Sequence, residues 1–130
     1  MRNNIKIFIY LIFLSIFFSL FSKAEEIPYL LTASSKGDVE MVKAIIESGA
    51  NPNTRDKDNI TALMYASRKN QVEIVQYLIS KGAAINKTER DGWTALMFAT
   101  KKNYTDTISV LLANGADPKI TDPDGWSAYG

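Results

Sequence analysis

The stretch NITALMYASRKNQVEIVQYLISKGAAIN, residues 59–86, returns 33 places later as GWTALMFATKKNYTDTISVLLANGADPK. Six columns recur at that interval. Gly49, Gly82 and Gly115 form one, and Ala50, Ala83 and Ala116 the next. Asp58, Asp91 and Asp124 form a third, and Thr61, Thr94 and Ser127 a fourth. Leu30, Leu63 and Leu96, then Ala33, Ala66 and Ala99, complete the set. A fixed period of this length excludes most folds at once. Each copy has to be the same supersecondary unit, packed against its neighbours in the same way.

Every column has a physical task. Thr61 and Thr94 stand where a short helix begins, and a hydroxyl there can cap free amides. Leu63 and Ala66, like Leu96 and Ala99, lie three apart on one helical face. The small alanines let neighbouring helices approach closely. Gly37, Asn70 and Asn103 are residue types that accept the left-handed backbone of a helix end. A second helix follows. Its apolar positions are Val39, Met41, Val42, Ile45 and Ile46 in one copy, and Val72, Ile74, Val75, Leu78 and Ile79 in the next. Thr105, Thr107, Ile108, Leu111 and Leu112 form the third set, more polar at its start. The glycine column ends this helix, and a polar connector runs to Asp58-Asn59, Asp91-Gly92 or Asp124-Gly125, which are hairpin-turn signals. One unit is therefore helix, tight turn, helix, hairpin-like loop. A single pair of such helices cannot bury two apolar faces, and stacking copies does.

These residues resemble ankyrin repeats. The resemblance is carried by DGWTALMFA (91–99), VEIVQYLISKGAAIN (72–86) and KGDVEMVKAIIESGANPN (36–53), and it covers residues 25–130. The family cue, T-P-L-H-x-A every 33 residues, reads Thr61-Ala62-Leu63-Met64-Tyr65-Ala66 and Thr94-Ala95-Leu96-Met97-Phe98-Ala99. Methionine in place of histidine is expected to exchange polar bonding for apolar packing. The resemblance implies an all-α solenoid of stacked helix-turn-helix units with β-hairpin-like loops. The units fall at about 25–57, 58–90 and 91–123, with a partial one at 124–130. Both ends depart from the pattern. Pro28-Tyr29-Leu30-Leu31-Thr32-Ala33 stands in for the helix motif of the first unit, as a cap with Ser34, Ser35 and Lys36 expected to be wetted. At the other end DGWSAYG leaves Trp126 and Tyr129 with no fourth helix pair to cover them.

The first 24 residues read differently. Arg2 and Lys6 make a positive start, and Ile7 to Phe21 is an apolar run broken only by Ser15 and Ser19. Ser22-Lys23-Ala24 then places small residues before a cut, the pattern of a secretory signal peptide. A membrane span needs about 20 residues, so an uncleaved anchor is the lesser reading. No cysteine follows, so a lipoprotein anchor is excluded. Export places residues 25–130 in the periplasm or outside the cell. The wealth of Ile, Asn and Lys suggests an AT-rich bacterial genome. Without this segment the chain has 12 basic and 14 acidic side chains, net −2, against +1 for the whole. That balance gives no general attraction to nucleic acid or anionic lipid.

The chain has no cysteine and no histidine. This removes the Ser-His-Asp triad, the thiolate nucleophile and His/Cys metal sites, and there is no glycine-rich phosphate loop. Asp58, Asp91 and Asp124 recur with the repeat, so a turn role outweighs paired-carboxylate catalysis. An enzyme is not expected, nor a cofactor.

A binding surface remains. The resemblance implies that hairpin tips and first helices line a concave face that holds another protein. The tips are read at Thr54 to Lys57, Lys87 to Arg90 and Ile120 to Pro123. Candidate contacts are Arg55, Lys57, Thr88 and Arg90 at the tips, and Ile60, Tyr65, Trp93, Phe98 and Trp126 along the face. Arg68 and Lys101, with Lys69 and Lys102 beside them, stack at the 33 interval in the last helical turns. Each has a plainer role open to it. The Ile60/Trp93/Trp126 column can cover the hairpin base, the cations can meet the helix dipole, and Asp56 and Glu89 can belong to a solvated mixed-charge loop. The partner expected is a protein. Membrane contact is expected only if the leading segment is uncleaved. Self-association through Trp126 and Tyr129, or service as an accessory or inhibitory subunit of a periplasmic enzyme, is the alternative.

Overall fold

Among the described residues, threonine, asparagine and glycine punctuate six helices in the order the period predicts. The structure is a computed structural model that describes residues 2–130, with side chains described for 4–16 and 28–130. The helices are α1 (Arg2–Lys36), α2 (Val39–Glu47), α3 (Ala62–Arg68), α4 (Val72–Ser80), α5 (Ala95–Lys101) and α6 (Thr105–Ala113). Thr61 and Thr94 cap α3 and α5, accepting the Met64 and Met97 amides at 3.3 and 3.2 Å. The return bond comes from methionine. The Thr61 and Thr94 amides donate to Met64 Sδ and Met97 Sδ at 3.4 and 3.3 Å. Methionine here keeps a polar bond as well as packing, because a thioether is a weak acceptor that reaches back one turn. Asn70 and Asn103 follow these helices with φ of 57° and 56°, the left-handed backbone that asparagine tolerates.

Stacking follows from the apolar faces. The inner helices form one layer, with α3 between the end of α1 and α5, and the outer helices another, with α4 between α2 and α6. Leu30, Leu63, Leu96, Ala66 and Ala99 are buried between inner helices, and Val42, Ile74, Val75, Leu78 and Leu111 between the layers. Burial of each large aliphatic side chain contributes about 1.5–3 kcal/mol. Thr107 is fully buried at the start of α6, and its hydroxyl donates to Asn70 Oδ1 at 2.8 Å. Along the loops Asn53 binds the Ala84 amide and the Gly82 carbonyl of the next unit. Asn86 does the same to Asp117 and Gly115.

Two expectations are corrected. Ser34 is not wetted: it is fully buried, with its hydroxyl on the Leu30 carbonyl at 2.7 Å. Ser35 is half-buried, and its carbonyl accepts from Gln71. Met41 and Leu112, read as inward positions, are each 45% exposed, because they lie just off the inward stripe of α2 and α6. Among the described residues the connectors hold isolated antiparallel bridges, Arg55 with Thr61 and Thr121 with Ser127, which agrees with the hairpin-like loops expected.

Pro28 occupies the column of the capping threonines, yet α1 runs through it without a new start. From Asn4 to Ile16 every side chain of α1 is exposed, apolar ones included. Among the described residues no helix is long and apolar enough to cross a membrane. The cleavage pattern at Ser22 to Ala24 lies outside the residues whose side chains are described.

Candidate functional site

The loops close by one pattern repeated three times. The Asp56, Glu89 and Asp122 amides donate to the Ile60, Trp93 and Trp126 carbonyls at 3.1, 3.0 and 2.9 Å. Within each loop one carboxylate oxygen gathers two amides. Asp56 Oδ1 accepts from Asp58 and Ile60 at 2.9 and 3.0 Å. Glu89 Oε1 accepts from Asp91 and Trp93 at 2.8 and 2.9 Å. Asp122 Oδ1 accepts from Asp124 and Trp126 at 3.0 and 2.9 Å. The residue after the turn aspartate takes positive φ each time: Asn59, Gly92 and Gly125 at 64°, 84° and 85°.

This moves two sequence readings. The tips are residues 57–59, 90–92 and 123–125. Lys57 and Arg90 therefore stand on tips, while Arg55 and Thr88 lie on the rising limbs. The carboxylates that hold the turns are Asp56, Glu89 and Asp122. Asp58, Asp91 and Asp124 contribute backbone amides instead. Asp56 is half-buried and Glu89 only 9% exposed, so neither is a freely solvated loop charge.

Ile60, Arg68, Trp93, Phe98 and Lys101 come together along an open groove of about 440 Å³ between the second and third units. Tyr65 lines the adjoining groove of about 450 Å³, with Leu31 and Asp56. Arg55 and Thr88 meet apart from these, in a depression of about 270 Å³ that includes Lys87. Arg90 pairs with Asp58 at 3.6 Å, and Lys57 is exposed on its tip.

The tryptophan column has both of the roles open to it. Trp93 stacks on Trp126 with ring centroids 4.9 Å apart and planes 14° from parallel. It tilts against Phe98 at 5.2 Å, and its Nε1 donates to Asp122 Oδ2 at 3.1 Å. Lys101 Nζ lies 5.0 Å from its ring centre, within cation–π reach. So Trp93 braces the loops of two units and still forms groove wall. Trp126 is half-buried by the same stack, while Tyr129 is 79% exposed.

Tyr65 donates its hydroxyl to Asp56 Oδ2 at 2.7 Å. Partial burial, the largest single influence on Asp56, would raise its pKa. The bonds from Tyr65, Ile60 and Asp58 and the charge of Lys57 outweigh it, and the carboxyl is held below its usual range. The same bond to Asp56 is the main reason that Tyr65 is pushed up to about 12, with partial burial adding to it. The linkage has a sign. The Tyr65 contribution is complete below the ordinary tyrosine pKa of about 10, and is lost as pH rises through about 12. The Asp56 contribution is present above the ordinary aspartate range and is lost in acid. Urea midpoints are therefore expected to fall between pH 10 and pH 12 in the wild type. In Tyr65→Phe that alkaline fall should shrink; an unchanged fall would assign it to other groups.

Among the described residues no group of three potential ligands is placed to hold a metal ion. The column Asp56, Glu89 and Asp122 was present in the sequence at 33-residue spacing. Glutamate in the middle copy and the plainer aspartate column two residues on concealed it.

The family profile described as ankyrin repeats, three copies, matches residues 30–122. No curated protein matches the chain.

Proposed function

This chain belongs to the ankyrin-repeat family, and from that premise we propose that it binds a partner protein through the concave groove between its second and third units. Repeats of this family are non-catalytic scaffolds that mediate protein–protein contact, so the chain is not an enzyme. The observation that carries the reading is the gathering of Ile60, Arg68, Trp93, Phe98 and Lys101 on one open groove. A rigid stack presents such side chains with little ordering cost on binding. The test is capture of a partner on immobilised full chain, repeated with Arg68→Ala/Lys101→Ala. Both residues are exposed, so the melt should hold while capture weakens. Equal capture would move the binding face elsewhere.

Export is part of the proposal. It is supported by the positive start and apolar run of residues 2–21, and by the exposure of Asn4 to Ile16 outside the packed core. Self-association is a second reading, supported by the exposed Leu112 and Tyr129 on the last unit. One purified sample reads both. Its intact mass reports whether the leading segment is removed, and light scattering over a concentration series reports the copy number. Full-length mass contradicts cleavage, and a constant monomer contradicts self-association.

A further inference from the structure

The charges of this solenoid are sorted between its two layers. From Pro28 to Lys36, and throughout α3 and α5, the inner helices contain no acidic residue. Their last turns and caps carry Lys36, Arg68, Lys69, Lys101 and Lys102, all exposed. The outer helices carry Glu40, Glu47, Glu73 and Asp106 against a single lysine, Lys43. The ion pairs among the described residues, Lys43 with Glu73 and Arg90 with Asp58, use none of the inner cations. The Asp56 and Glu89 carboxylates are turned toward loop amides and offset these cations only in part. Glu89 and Asp91 line the groove together with Arg68, Lys101 and Lys102, so three cations stand against two carboxylates there. The result is a positive stripe that crosses three successive units above a floor of Ile60, Trp93 and Phe98.

Resting on the reading of this groove as a protein-binding face, we propose that the stripe takes an extended acidic segment of the partner. Packed helices stand about 8–10 Å apart. A chain in the extended polyproline II conformation advances ~3.1 Å per residue and returns its side chain to the same face every three residues. Successive cation ranks are therefore about three residues of peptide apart. The segment that fits has an acidic side chain at about every third position and an apolar one between, seated over Ile60 and Phe98. Single-stranded nucleic acid fits less well. It needs free aromatic faces for base stacking, and the Trp93 faces are taken by Trp126 and Lys101.

Fluorescence titration of the full chain tests this, because Trp93 lines the groove and the other tryptophan, Trp126, stacks on it. The probes are a synthetic peptide with glutamate at every third position and leucine between, an isomer with its glutamates in one block, and a lysine counterpart. The spaced acidic peptide should bind about tenfold tighter than the isomer, and more weakly as salt rises. Arg68→Glu/Lys101→Glu should abolish that preference with its circular dichroism melt unchanged. Equal binding of the three peptides, or tighter binding of a single-stranded oligonucleotide, overturns the proposal. Titration with peptides selected from a random display library separates the two levels. Non-acidic binders that quench Trp93 overturn the acidic preference and leave the protein-binding reading standing. A library without binders overturns both.

Discussion

The Leu96→Asp variant is expected to lose its third unit outright and to show no cooperative melt of the whole stack. Leu96 is 2% exposed and belongs to the leucine column buried between inner helices. Aspartate there removes the apolar contact and puts an unpaired charge between units, at a cost of roughly 3–5 kcal/mol. A domain of this size stands only about 5–15 kcal/mol above its unfolded state. The loss is also badly placed. In a stack, stability is a sum of unit terms and nearest-neighbour interfaces, and Leu96 serves the α3–α5 interface. Both tryptophans, Trp93 and Trp126, lie in or beyond the third unit. Their emission should be red-shifted without denaturant, whereas far-ultraviolet circular dichroism should retain part of its helical signal. Leu112→Asp is the control. Leu112 is 45% exposed, and its change should cost only about 1–2 kcal/mol, from partial loss of burial and an acid in the last turn of α6. Equal melts for Leu96→Asp and the wild type would contradict the stacked arrangement.

The fold was legible because the period made each residue testify more than once. A lone Asn70 says little, but Asn70 and Asn103 at one interval, with Gly37 in the same column, mark a helix end. Both take positive φ. The leucine and alanine columns named the interface for the same reason. Less legible was anything set by a side chain's reach. Methionine at the histidine position reads as apolar, and only the geometry of the first turn brings its sulfur to the capping amide. Ser34 reads as polar and wetted, yet it is fully buried with its hydroxyl turned back one helical turn to the Leu30 carbonyl. The candidate site was half legible. Columns placed Ile60, Arg68, Trp93, Phe98 and Lys101 on one face. Loop residues have no helical period to orient them, so Arg55 and Thr88 were placed on tips that lie two residues further along.

Glu89 is where that last difference can be measured. Glu89→Ala is expected to cost roughly 2–4 kcal/mol, because it strips one charged acceptor from two amides at once. The loop it loosens carries Trp93, whose ring meets both Phe98 and Trp126. The damage should therefore reach the groove as well as the fold. Glu89→Asp is expected to change the urea midpoint little, since Asp56 and Asp122 hold the equivalent amides with the shorter side chain. Asp91→Ala should be nearly silent, because Asp91 offers its amide to the turn and its side chain is exposed. The order of the three midpoints decides which acidic column holds the loops. If Asp91→Ala falls furthest, the turn depends on the aspartate that the sequence advertises. If Glu89→Ala falls furthest and Glu89→Asp recovers, it depends on the carboxylate two residues earlier. The groove wall at Trp93 then rests on a carboxylate bound to the backbone of its own loop.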